Sequence, residues 1–147
     1  MSDHETKEVQ ELITILNDSA DFYREAHDKV TNAALKETFD EIAGIKEQLV
    51  DRLQPLVVLQ TGEAEHGHSV SVKVRQIYTN VLASLQKDKA ETFIDNLEEV
   101  EDKTRQQARK AMDAADTTVV AIALRDAFPD IERCHDEMSR LKAARAR

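Results

Sequence analysis

The sequence predicts an all-α fold, a four-helix bundle with an additional shorter crossover helix between the second and third bundle helices. Two observations carry this prediction. Apolar residues recur at three- and four-residue steps along five segments of the 147-residue chain, which is typical of amphipathic helices. The chain also has only three glycines and two prolines, too few turn residues for an all-β fold. The length fits one domain that spans residues 1–147.

The first two segments are long helices. The first runs from about Glu5 to Asp28, and the second ends at Gly62, because glycine is a natural helix stop. Pro55 lies inside the second helix and is expected to bend it. The inward-facing residues are Val9, Leu12, Ile13, Leu16, Ala20, Tyr23 and Val30 on the first helix and Leu35, Phe39, Ile42, Leu49, Leu53 and Leu56 on the second.

Three further segments complete the prediction. The third, from about Ser69 to Lys87, is shorter and rich in β-branched residues, which lower helix propensity. Asp88 with Glu91 has the pattern of an N-cap and its capping-box partner at the start of the fourth helix. A turn at 116–118 precedes the fifth helix, in which Pro129 is expected to form a kink. If the third segment runs the length of the bundle, the second and fourth helices are parallel, which is the ferritin-like connection.

Composition excludes several classes of site. The glycines, Gly44, Gly62 and Gly67, form neither a dinucleotide-binding fingerprint nor a phosphate-binding loop. Gly44 falls inside the second helix, where we expect its missing side chain to let a neighbouring helix approach. The single cysteine, Cys134, allows no intramolecular disulfide and no cysteine-based zinc site.

Charge and hydropathy bound the partners and the compartment. The net charge of −9 repels phosphate backbones and anionic lipid surfaces, so we expect no nucleic-acid partner and no membrane partner. The first ten residues include several charged side chains and lack an apolar stretch, and the longest apolar run is far too short to span a bilayer. These features predict a cytoplasmic protein.

Polar residues interrupt the apolar helix faces at one level of the predicted bundle. The seven-residue spacing places Lys46 and Glu101 inward on the second and fourth helices. The same spacing from Phe128 places His135 inward on the fifth helix, and Tyr23 lies on the apolar face of the first. With the ferritin-like connection, Lys46, Glu101 and His135 fall within about one helical turn of each other and of Ala20 on the first helix. The sequence therefore predicts a buried polar layer of Tyr23, Lys46, Glu101 and His135.

The first hypothesis for this layer, which we favour, is a satisfied hydrogen-bond network. Lys46 would pair with Glu101, and His135 would hydrogen-bond to Glu101, Tyr23 or Asp21, because buried charges must be paired. Such a network fixes the register of the helices, requires no catalysis and needs no cofactor. A histidine beside a carboxylate can also titrate near neutral pH, which adds a pH or stress switch as a further hypothesis.

The second hypothesis is a carboxylate-bridged site for iron or manganese. Glu132 and His135 form the Glu-x-x-His pair of di-iron bundles, and Glu101 could supply a further ligand. Against it, the sequence has one such pair where those bundles use two. The ammonium of Lys46 is a cation that cannot bind a metal while charged.

A weaker metal candidate lies in the loop after the second helix. His66 and His68, with Glu63 and Glu65 nearby, have donor atoms suited to a metal ion, although histidine pairs in loops are usually only solvated.

Several positions on the predicted helix faces carry a family resemblance. They are Asn17-Asp18, Phe22-Tyr23 and Ala26, Phe39 with a basic residue at 46 and Leu49, then Glu101-Asp102 and His135-Asp136. In these the chain resembles an uncharacterised bacterial family of ferritin-like four-helix-bundle proteins, known as a domain of unknown function, over about residues 7–141. The resemblance implies the ferritin-like topology with its crossover and brings no activity. Members tend to have arginine where this chain has Lys46, and a glycine-rich entry with an aromatic-containing crossover where it has 66–68 and Tyr78.

We therefore expect a non-enzymatic, stress-associated helical protein, with a metal-binding ferritin-like protein as the alternative. A homodimer is expected to form through exposed apolar residues on the crossover such as Val58, Val72 or Ile77. The sequence identifies no other protein partner.

Overall fold

Five α-helices make up the described part of the chain, as the periodicity predicts. They are α1 (Asp3–Lys29), α2 (Ala33–Thr61), α3 (Val72–Leu85), α4 (Ala90–Ala114) and α5 (Thr118–Arg145). The structure is a computed structural model, and it describes residues 2–65, 67, 72–85 and 90–145. Within these ranges the chain contains no strand. Pro55 and Pro129 lie inside α2 and α5.

Short polar residues and a glycine define the helix ends. The Ser2 hydroxyl accepts a hydrogen bond from the Glu5 amide at the start of α1, and the Asn32 side chain accepts one from the Leu35 amide at the start of α2. Gly62 ends α2 with φ of 83°, the left-handed conformation that glycine adopts without a steric penalty. The stop predicted at Gly62 is confirmed. The cap predicted at 88 and 91 lies outside the described side chains.

The helices contact one another in six pairs. α1 packs against α2 and α4, α5 packs against α2 and α4, and α3 packs against α1 and α4. Loops of three residues join α1 to α2 and α4 to α5, so these neighbours are antiparallel. Polar contacts show the direction of the other two pairs. Between α1 and α4, Tyr23 contacts Glu101 and Glu8 contacts Gln107. Between α2 and α5, Glu41 contacts Arg133 and Arg52 contacts Asp130. In both pairs residue numbers rise on one helix as they fall on the other, so these helices are also antiparallel.

Buried apolar side chains form two clusters, one after the other along the helices. The first includes Phe22, Phe39 and Ile42 together with residues from α3 to α5. The second includes Leu12, Leu53 and residues from the other halves of α4 and α5. On α2 the first cluster ends at position 43 and the second begins at 49, and on α4 the corresponding positions are 100 and 108. Lys46 and Glu101 lie in this interval, and Tyr23 belongs to the first cluster.

The expectation that a neighbouring helix approaches Gly44 is wrong. No described atom outside its own stretch of helix lies within 4 Å of the position that a Cβ of Gly44 would occupy, so no helix approaches closely there. Of the residues expected to form a dimer, Val58 is exposed and belongs to α2, and Ile77 packs partly buried against the first apolar cluster. The side chain of Val72 lies outside the described residues.

No helix in the part of the chain that the structure describes is long and apolar enough to cross a membrane.

Candidate functional site

Three helices each contribute one polar side chain to the boundary between the two apolar clusters. Tyr23 comes from α1, Lys46 from α2 and Glu101 from α4. Lys46 falls seven residues after Phe39, so it projects from the apolar face of its helix. Lys46 is 1% exposed, and Tyr23 and Glu101 are 0% exposed. The structure therefore brings together three of the four residues of the predicted polar layer.

The Glu101 carboxylate is the centre of this arrangement. The Lys46 ammonium donates to its Oε2 at 2.9 Å, and the Tyr23 hydroxyl donates to its Oε1 at 2.8 Å. The ammonium also lies 5.9 Å from the centroid of the Tyr23 ring, within the range of a cation–π interaction. The buried positive charge thus has a carboxylate and an aromatic ring as neighbours, and each carboxylate oxygen accepts a hydrogen bond from a protein side chain. We call Tyr23, Lys46 and Glu101 the buried triad.

The surroundings of the buried triad are apolar. The Tyr23 ring packs against Phe22 with centroids 5.1 Å apart and against Phe39 with centroids 5.6 Å apart. The Thr104 hydroxyl donates to the Val100 carbonyl of its own helix. Burial raises the pKa of Tyr23 well above its usual value, and the negative charge of Glu101 raises it further. The tyrosine therefore keeps its proton at neutral pH and donates a hydrogen bond to Glu101.

His135 lies apart from the buried triad, which differs from the predicted layer. Its Nε2 is 2.8 Å from Oδ1 of Asp102, at the contact between α5 and α4, and its side chain is 15% exposed. The expected partners were Glu101, Tyr23 or Asp21, and Asp21 is exposed. His135 and Asp102 instead form a half-buried pair beside the triad.

The displacement of His135 follows from the register of α5. Its buried residues are Val120, Leu124, Ala127, Ile131, Cys134 and Met138, a regular alternation of four- and three-residue steps. The inward position is therefore Cys134, one residue before His135. Phe128, from which the spacing was counted, is only partly buried, and its ring lies 5.6 Å from the Arg109 guanidinium. Burial raises the pKa of the Cys134 thiol to about 12, so this thiol stays protonated and unreactive.

The structure does not assemble the residues of the metal hypothesis. Glu132 faces Arg109, with 3.8 Å between its Oε1 and a guanidinium nitrogen, and both oxygens of Glu101 are occupied within the buried triad. Among the side chains that the structure describes, no group of three or more His, Cys, Asp or Glu residues is placed to hold a metal ion. His66 and His68, the loop candidates, lie outside the described residues.

The buried triad lies within a region shared with a known protein family. The sequence model of that family, described as a domain of unknown function (DUF2383), matches residues 4–114. The chain belongs to this family. The DUF2383 match covers α1 to α4 and so includes all three residues of the triad, whereas α5 with His135 follows it. Comparisons with curated proteins and with solved structures gave no significant match.

A second polar contact, which the sequence did not reveal, begins at the edge of the DUF2383 region. Glu5 on α1 is 0% exposed. Its Oε2 accepts hydrogen bonds from the amides of Asp116 at 2.6 Å and Thr117 at 2.9 Å, and its Oε1 accepts one from the Thr117 hydroxyl at 2.9 Å. The carboxylate of α1 therefore caps the N-terminus of α5, where the helix dipole favours a negative charge.

The hydrogen bonds at this cap determine the charge state of Glu5. Burial alone would raise its pKa, but the hydrogen bonds from Thr117 and Asp116 outweigh burial and lower the pKa below its usual value. Nothing near Glu5 in the sequence signals this role, because both partners lie more than a hundred residues further along the chain.

Proposed function

We propose that this DUF2383 protein is a non-enzymatic, ferritin-like four-helix bundle in which the buried triad fixes the register of the helices. The contacts of α1 with α2 and α4, and of α5 with α2 and α4, support a closed ring of four helices. Because α1 is antiparallel to both α2 and α4, those two helices run in the same direction. The chain between them must return from one end of the ring to the other, which supports α3 as the crossover element.

The occupancy of Glu101 is the observation that carries the non-enzymatic proposal. A carboxylate that acts as a general base or a metal ligand needs an oxygen open to substrate, water or ion. Both oxygens of Glu101 instead accept hydrogen bonds from protein side chains, and the residue has no exposure to solvent. This geometry suits a structural ion pair.

The triad supports one register because its three members come from three helices. A shift of α4 by one turn would move Glu101 by about 5.4 Å and separate it from Lys46 and Tyr23. The ammonium would then be a buried charge without a partner, which costs several kcal/mol. Apolar side chains at the same positions would discriminate less between registers, since a helix shifted by one turn can still bury them.

The alternative remains a ferritin-like protein that binds iron or manganese through Glu101, Glu132 and His135. It requires Glu101 to leave Lys46 and α5 to present His135 toward the triad. The two proposals therefore differ in a measurable quantity, the amount of metal that depends on Glu101.

Metal binding by protein produced without a histidine tag tests the proposal. The chain is refolded with iron(II), manganese(II) or zinc(II), desalted and analysed for bound metal. We expect far less than one equivalent per chain, and the same residual amount in Glu101→Gln and Glu132→Gln. One equivalent or more in the wild type that is lost in both variants would replace our proposal with the metal alternative.

A further inference from the structure

Exposed apolar side chains concentrate at one end of the molecule. Of the large apolar residues that the structure describes, four are exposed: Val58 at 41%, Leu59 at 84%, Val119 at 61% and Ile122 at 43%. Two belong to the last turns of α2 and two to the first turns of α5. We call these four residues the apolar end patch.

The contact between α2 and α5 places the two halves of the patch side by side. The Arg52 guanidinium bonds to the Asp130 carboxylate at 2.7 Å and to the Asp126 carbonyl at 3.0 Å. Leu59 lies seven residues after Arg52, and Val119 lies seven residues before Asp126, so each lies two turns further along the same face of its helix. Because the helices are antiparallel, Leu59 and Val119 lie on the same side of the Arg52 contact, toward the same end of the molecule.

The parts of α2 and α5 that carry the apolar end patch contain no charged side chain. Charged pairs join α2 and α5 at Glu41 with Arg133 and at Arg52 with Asp130. Beyond them, residues 53–62 and 117–124 contain no charged side chain, in a chain that is 33% charged. An exposed, uncharged apolar surface of this kind is typical of an interaction site.

We propose that the apolar end patch is the interface of a homodimer, in which two copies of the chain pack patch against patch about a two-fold axis. Each copy has a net charge of −9, so two copies repel each other least where both lack charge. The rim of the patch carries both signs, with Arg125 and Asp126 both exposed. A two-fold axis can place Arg125 of one copy near Asp126 of the other, since the two contact surfaces are identical.

The size of the patch fits such a contact. From their exposed fractions, the four side chains present roughly 300–400 Å² of surface, which is within the range of the largest apolar patch on a typical monomer. Two such patches, each with a polar rim of comparable area, would bury roughly 1,200–1,600 Å² in total, in the lower part of the range of specific interfaces. We therefore expect a dimer that dissociates on dilution.

Sedimentation equilibrium of three single variants against the wild type tests the interface. Leu59→Glu and Val119→Glu each place a charge in the patch at a largely exposed site, so the monomer fold is unaffected. We expect either change to raise the dissociation constant of the dimer at least tenfold, roughly the effect of removing a central interface residue. The control is Gln48→Glu, which adds the same charge at an exposed position on the same face of α2, 11 residues before Leu59. It should leave the constant unchanged.

Two results would overturn the proposal. One is a wild-type protein that stays monomeric at the highest concentration tested. If that monomer binds phosphatidylcholine vesicles through Leu59, the occupant of the patch is a lipid surface. The other is a dimer whose dissociation constant is the same in the wild type and all three variants, which would place the interface elsewhere. Circular dichroism of each variant verifies that the helices are intact.

Discussion

The Lys46 ammonium lies 2.9 Å from Oε2 of Glu101, and neither residue is more than 1% exposed. Removing one partner of a buried ion pair costs more free energy of unfolding than the intact pair contributes. Removing one partner strands a charge in an apolar interior, whereas replacing both partners with apolar residues of similar volume removes the charges altogether. This asymmetry separates a register-fixing role from a simple contribution to stability.

We predict that Lys46→Met lowers the free energy of unfolding by about 3–5 kcal/mol, because it leaves the Glu101 carboxylate buried without its counter-charge. Adding both Glu101→Leu and Tyr23→Phe should restore most of this loss, because Glu101→Leu alone would leave the Tyr23 hydroxyl buried without an acceptor. Urea denaturation followed by circular dichroism measures both. The control is Arg24→Met, which removes exposed ion pairs to Asp40 and Glu47 and should cost less than about 1 kcal/mol. Wild-type stability in Lys46→Met would contradict the required charge pair.

The chain has only two tyrosines, and both are buried. Burial raises the pKa of each, and the charge of Glu101 raises it further. A raised folded-state pKa contributes stability that is fully present below the unfolded value of about 10 and is lost as the pH rises above it. We expect the phenolate absorbance to stay absent above pH 10 until the helices unfold, and then to appear together with the loss of ellipticity. Phenolate in a fully helical protein would show that a tyrosine is accessible.

Glu5 gives a prediction for how the free energy of unfolding changes at acidic pH. Its hydrogen bonds with Thr117 and Asp116 overcome the opposing effect of burial and lower its pKa, so it contributes stability above its unfolded pKa that is lost as the pH falls. We predict that Glu5→Gln lowers the free energy of unfolding by about 1–2 kcal/mol at pH 7, the usual effect of a helix cap. The deficit should shrink as the pH falls below 4.

The matched control for this prediction is Glu37→Gln, which removes the same charge from an exposed position on α2. It should change the free energy of unfolding little at any pH. Equal effects of the two substitutions would mean that net charge, and no specific cap, explains the result of Glu5→Gln.

The two helix-associated glycines should respond to alanine in opposite directions. Gly44 lies inside α2 with open space at the Cβ position, so Gly44→Ala should raise the free energy of unfolding by about 0.5–1 kcal/mol. Gly62 has a φ of 83°, which alanine adopts only with strain, so Gly62→Ala should lower the free energy of unfolding by about 1–2 kcal/mol. Thermal melts of both variants measure the signs. A loss of stability in Gly44→Ala would show that a neighbouring group needs that space.

The positions of Lys46 and Glu101 could be predicted because each depends only on its own helix. Seven-residue spacing from Phe39 places Lys46 on the buried face whatever the other helices do, and the length of α2 needs only its own apolar pattern and Gly62 as a stop. The all-helical fold follows from the same local information.

His135 could not be placed correctly, because its helix has two candidate faces. Phe128 is the larger apolar side chain, but α5 buries the small residues Ala127 and Cys134 against its neighbours and leaves the aromatic ring near Arg109. Side-chain size indicates burial poorly where helices pack closely around small residues. The cap made by Glu5 was beyond prediction for another reason, since its partners come from a distant part of the sequence.

The cap also sets an order of events while the chain is being synthesised. Glu5 and Asp116 are 111 residues apart, so at typical translation rates roughly 6–20 s pass between the appearance of the carboxylate and that of the amides it binds. During this interval the Glu5 carboxylate lacks the amides that it binds in the folded protein. The turn of α1 that carries Glu5 is thus synthesised well before the residues that complete its final environment.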